Sequence, residues 1–130
     1  MSEGLMSGGG GDIRAKLLWT NPSPTSAFPA QSFSFDVSDY DSLMIESITD
    51  TNYSVDARFR QIIQKTTTEY NTVCSATAKG KSIPVSSRSY IAVNGVLSCG
   101  QGCLYSLGSK DDFCIPLRIW GIKGLSKAWS

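Results

Sequence analysis

Histidine is absent from this 130-residue chain, and that absence excludes a large part of enzyme chemistry. No Ser-His-Asp or Cys-His nucleophile can be assembled from it. The commonest proton shuttle and the commonest transition-metal ligand are missing as well. Charge of one sign is also lacking: twelve Lys and Arg face eleven Asp and Glu, for a net charge of +1. No basic field draws nucleic acid, and no acidic field draws metal ions. No apolar run approaches the roughly 20 residues that span a bilayer, so membrane insertion is not expected. Residues 1–11 lack the basic segment and apolar core of a secretory signal. The chain is therefore expected to fold in the cytoplasm that makes it, without a cofactor and without catalysis.

What is present reads as short strands and turns. Residues 1–11 are rich in Ser and Gly and read as a flexible N-terminal arm. Residues 12–124 form one domain, and residues 125–130 a C-terminal tail. Ser32-Phe33-Ser34-Phe35-Asp36-Val37 alternates with period two, which points Phe33, Phe35 and Val37 inward. Residues 42–48 and 69–78 read as strands, as do 87–92. Residues 53–68 carry Phe59, Ile62 and Ile63 at helical spacing, but Thr66-Thr67-Thr68 favours strand there. Asn94-Gly95 fits a type I′ hairpin turn, since both residues tolerate positive φ. Gly100 and Gly102 interrupt the return strand as a bulge or tip loop. Residues 113–122 close the domain, and Pro116 places that strand at an edge or at a bulge. About nine strands at ten-residue spacing predict an all-β fold, an antiparallel β-sandwich or jelly-roll. Trp19, Phe33, Phe35, Leu117 and Ile119 are its expected core.

The candidate chemistry is sparse. Cys74, Cys99, Cys103 and Cys114 could bind zinc tetrahedrally, but only Cys99 and Cys103 form a close pair. A Cys99–Cys103 disulfide and free thiols packed as small hydrophobes are the other readings. Asp39 with Asp41, and Asp111 with Asp112, lie in predicted turns, where Asp serves turn geometry. Arg58, Arg60, Lys65, Lys79, Lys81, Arg88 and Lys110 are scattered, which argues against a nucleic-acid groove. Tyr40, Tyr53, Tyr105 and Trp129 are candidates for surface contacts, and so are Arg118 and Trp120.

Three phrases carry a resemblance. The first is Leu18-Trp19-Thr20-Asn21-Pro22-Ser23-Pro24. The second is Phe28-Pro29-Ala30-Gln31-Ser32-Phe33-Ser34-Phe35-Asp36-Val37-Ser38-Asp39-Tyr40-Asp41. The third is Ile115-Pro116-Leu117-Arg118-Ile119-Trp120-Gly121-Ile122-Lys123. In this order and spacing they resemble a small domain at the distal ends of bacteriophage tail-fibre and receptor-binding proteins, also found as small virion accessory proteins. Residues 73–102 are not part of the pattern.

The resemblance implies a virion protein made in the host bacterial cytoplasm, which binds a glycan or protein receptor on the bacterial surface. The alternative is a structural decoration or accessory protein, docked on other virion proteins of the capsid or tail through its N-terminal arm. It also implies a homo-oligomer, with a trimer favoured. Arg118 and Trp120 would then stand at the contact, with Tyr105 next.

Overall fold

Wherever the sequence alternates with period two, the chain is extended. The structure is a computed structural model and describes residues 4–8, 11–50, 58–65, 70–76, 85–104, 108–109 and 111–124. Among the described residues every regular element is a strand: β1 (Gly4–Gly8), β2 (Gly11–Thr20), β3 (Gln31–Asp36), β4 (Ser42–Asp50), β5 (Arg58–Gln64), β6 (Asn71–Ala76), β7 (Val85–Val93), β8 (Val96–Cys99), β9 (Cys103–Leu104), β10 (Gly108–Ser109) and β11 (Phe113–Lys123). They form two antiparallel sheets packed as a sandwich. One runs β1-β2-β11-β4-β5. The other runs β10-β9-β7-β8-β3, with β6 on the N-terminal half of β7.

Tyr53, Tyr105, Trp129, residues 1–3 and the tail 125–130 lie outside the described residues. Within the expected arm, Gly4–Gly8 is strand β1 and pairs with β2 from Gly8↔Gly11 to Gly4↔Arg14. β2 supplies the backbone partners of β1.

The Asn94-Gly95 turn joins β7 to β8 as the sequence predicts, with φ of 53° and 80°. Gly is required there for space as well as conformation. A Cβ on Gly95 would lie 2.6 Å from the Asp36 carboxylate, while the Gly95 carbonyl accepts the Val37 N–H at 2.9 Å.

Pro116 does not put its strand at an edge. β11 lies between β2 and β4. The missing donor is accommodated by a register shift between Pro116 and Arg118 against β4, which is the bulge alternative. Asn21 fastens the loop after β2 to the same place. Its side-chain amide donates to the Pro116 carbonyl at 2.9 Å, and its backbone N–H donates to Leu117.

Between the sheets lie Phe28, Phe33, Val37, Leu43, Ile45, Val73, Tyr90, Leu97, Ile115 and Ile119. Trp19, Phe35 and Leu117 are half-buried and pack against this cluster. The expected core residues thus meet in one core, with Phe33 and Ile119 at its centre and the other three at its margin.

Candidate functional site

The outer face of the β1-β2-β11-β4-β5 sheet carries the most organised surface among the described residues. Strand alternation separates its two faces. Ile119 opposes Trp19 on β2 and Ile45 on β4, and all three belong to the sandwich core. The next residue, Trp120, therefore points to the other side. Leu17 on β2, Trp120 on β11, Met44 on β4 and Ile62 on β5 are consecutive cross-strand partners. They form one apolar row across four strands. Leu17 is 42% exposed and Ile62 45%. Beside the row, on the same face by strand alternation, lies a second apolar cluster, separate from the sandwich core, in which Met44 and Trp120 pack on buried Ile13, Ala15 and Ile122.

Beside the apolar row runs a polar one. Thr20, Arg118, Glu46 and Arg60 are likewise cross-strand partners on β2, β11, β4 and β5. Glu46 is only 1% exposed. Its carboxylate accepts from Arg60 Nε at 2.9 Å, Arg118 Nη2 at 3.2 Å and Trp120 Nε1 at 2.8 Å, and it stands 2.8 Å from Arg118 Nε as an ion pair. Each charged row member thus meets its opposite directly across the strand, the favourable arrangement in a sheet. The indole bond also ties the apolar row to the polar one and fixes the orientation of Trp120.

Burial pushes the Glu46 carboxyl up. The Trp120 N–H bond and then the Arg118 and Arg60 guanidinium groups outweigh burial and hold it below its ordinary 4.5. A depressed carboxylate stabilises the fold above its unfolded pKa, and that contribution is lost as pH falls through the folded pKa. Glu46→Gln is expected to cost about 1–3 kcal/mol at neutral pH. The difference from the parent should shrink below about pH 4.5, in urea titrations run from neutrality to about pH 3. A difference independent of pH over that range would show that the carboxylate is not charged in this network.

The structure brings together two of the candidates named from sequence, Arg118 and Trp120. Tyr40 lies on the other side of β11, half-buried against Gly121, where an added Cβ would meet its ring at 2.5–2.7 Å. Lys123 Nζ stands 5.9 Å from the Tyr40 ring centre. Leu17, Met44, Glu46, Arg60 and Ile62 were not among the surface-contact candidates read from sequence. The one hint was the apolar triplet Leu43-Met44-Ile45, which suggests partial burial on both faces of β4.

In the acidic pairs, Asp41 acts through its carboxylate and Asp111 through its backbone, while Asp111 Oδ1 is buried with no hydrogen-bond partner among the described residues. The Asp41 carboxylate accepts the Gly124 N–H at 3.0 Å. The Asp111 carbonyl accepts the Phe28 N–H at 2.9 Å. No disulfide joins Cys99, Cys103 or Cys114 to another described residue. Cys99 opposes Tyr90 on β7, whereas Cys103 opposes Ser87. Those two β7 positions differ by three, so the paired cysteines point to opposite faces of the sheet, away from disulfide geometry. Burial pushes the Cys99 thiol up, away from reactive thiolate. Among the described residues, no group of three His, Cys, Asp or Glu side chains could hold a metal ion, and no helix is long and apolar enough to cross a membrane. Comparison with protein-family models, with curated proteins and with solved structures finds no match to the chain.

Proposed function

We propose that this chain is a non-catalytic interaction module of a bacteriophage virion, which docks on a protein partner through the outer face of the β1-β2-β11-β4-β5 sheet. One observation carries the docking part. The apolar row Leu17-Trp120-Met44-Ile62, exposed at Leu17 and Ile62 and half-buried at Trp120 and Met44, is flanked by Arg118 and Arg60, both fixed on buried Glu46. Trp and Arg dominate the energetic centres of protein interfaces, and side chains already held in place lose little entropy on binding. The virion part rests on the resemblance of the three phrases to phage fibre-tip domains. The partner is then a host-surface receptor or a neighbouring virion protein.

Recognition of a surface glycan is the second reading. It is favoured by the Tyr40 ring braced on Gly121 beside Lys123, since an aromatic face with a nearby cation suits an anionic sugar.

Electron microscopy of particles carrying labelled protein, together with binding of the isolated protein to host cells, tests these readings. Leu17→Asp with Ile62→Asp should abolish attachment to the particle or to cells while leaving the circular dichroism unchanged. Tyr40→Ala should keep attachment. The reverse pattern supports the glycan reading, and absence of the protein from particles removes the virion reading.

A further inference from the structure

We infer that the outer face of the β1-β2-β11-β4-β5 sheet receives an amphipathic helix of another protein, apolar along one face and bordered by carboxylates. The inference rests on the docking reading above and adds the chemistry of the partner.

Charge sets the sign. On the polar row two guanidinium groups, Arg60 and Arg118, share the single carboxylate of Glu46, which leaves one positive charge. Arg58 lies two residues further along β5, exposed on the same side, and brings the excess to two. Arg60 binds Glu46 through Nε alone. Its two terminal nitrogens have no partner among the described residues, and its side chain is 60% exposed. A second copy presenting this same face would set like charges against like. The face is thereby assigned to a different, acidic chain rather than to an isologous contact between copies.

Spacing sets the shape. Neighbouring strands lie about 4.8 Å apart, so the apolar row offers contacts at that interval over about 14 Å. One helical turn rises about 5.4 Å. A helix lying across the strands thus brings residues i, i+3, i+7 and i+10 in turn over Leu17, Trp120, Met44 and Ile62. The arginine row runs parallel to it, about 7 Å along the strands. That is where carboxylates on one flank of such a helix fall, and a bidentate Arg–carboxylate bond is available there.

Two synthetic helical peptides of about 18 residues test this. Both carry one Leu face. In one the flanking positions are Glu, and in the other Lys. Each is titrated into the isotope-labelled full chain. The Glu peptide is expected to bind at about 10–100 µM, shifting the Trp120 indole N–H and the arginine Nε–H signals, with the Lys peptide at least about tenfold weaker. Arg58→Glu should narrow that preference, and Leu17→Asp should remove binding of both.

Equal affinity for the two peptides overturns the inference. So does perturbation confined to another face, or no binding of either peptide below about 1 mM. Loss of particle or cell attachment on Leu17→Asp with Ile62→Asp, combined with equal peptide affinities, leaves the docking reading standing and removes this one. Retained attachment with a clear preference for the Glu peptide does the opposite.

Discussion

Arg88→Met is expected to destabilise the fold by about 4–5 kcal/mol, close to the whole stability of a marginal domain. Arg88 is 1% exposed, and no carboxylate pairs with it among the described residues. Backbone carbonyls solvate it instead. Its Nε donates to Cys114 at 2.9 Å, Nη1 to Gly100 at 2.8 Å, and Nη2 to Phe113 at 2.9 Å and Asp111 at 3.3 Å. Its guanidinium also stands over the Phe28 ring, 5.5 Å from the ring centre. These bonds cross the sandwich. Arg88 belongs to β7 of one sheet, Gly100 follows β8, and Phe113 and Cys114 open β11 of the other. Cys114 has φ of 50°, a left-handed backbone that a non-glycine residue keeps only when its surroundings impose it. Met fills similar volume but takes the guanidinium donors from four carbonyls, of which Asp111 keeps the Phe28 N–H, and hydrogen bonds to a charged group are worth about 1.5–3 kcal/mol each. Arg88→Lys keeps the charge but not the planar fork, and should lose more than half as much. Denaturant midpoints measure both. A loss below about 1 kcal/mol for Arg88→Met would mean that water reaches those carbonyls once the fork is gone.

Strand phase made part of this legible. In Ser86-Ser87-Arg88-Ser89-Tyr90-Ile91-Ala92, the buried residues are Ser86, Arg88, Tyr90 and Ala92. Period two therefore put Arg88 on the same side as Tyr90. Charge alone argued for an exposed face, and that argument failed because Arg can be satisfied by carbonyls as well as by water. The phase of Phe33 and Val37 and the hairpin at Asn94-Gly95 were likewise readable, since each depends on residues close in sequence.

The face proposed for docking was not readable, because it depends on register between distant strands. Leu17, Trp120, Met44 and Ile62 become neighbours only once β11 is inserted between β2 and β4. Pro116 argued locally for an edge or a bulge, and only the three-dimensional pairing chooses the bulge. Glu46 shows the same limit. Its neighbours in sequence are Ile45 and Ser47, while its three partners lie on β5 and β11, 14 to 74 residues away.

Phe33→Ala is expected to cost about 3–5 kcal/mol, and more than Phe35→Ala. Both residues occupy the inward phase of β3, but they do not carry equal loads. Phe33 is buried and Phe35 half-buried. Phe33 contacts Trp19 edge-on at 5.0 Å between ring centres, Phe28 in a stacked pair at 5.8 Å, and Phe35 at 5.3 Å. Trp19 also meets Phe28 edge-on at 5.6 Å, so Trp19, Phe28 and Phe33 close a triangle. Removing Phe33 deletes two of its three sides and opens a cavity that the flanking rings, held on β2 and on the loop before β3, cannot collapse to fill. Removing Phe35 deletes one contact at the margin, where water can replace part of the ring.

The triangle adjoins the Arg88 strut through Phe28, which both groups touch. The losses in Phe33→Ala with Arg88→Met should therefore be non-additive by more than about 0.5 kcal/mol in a double-mutant cycle. Equal losses for Phe33→Ala and Phe35→Ala would show that the aromatic triangle is not the centre of the core, and additivity in the cycle would show that Phe28 does not couple the two.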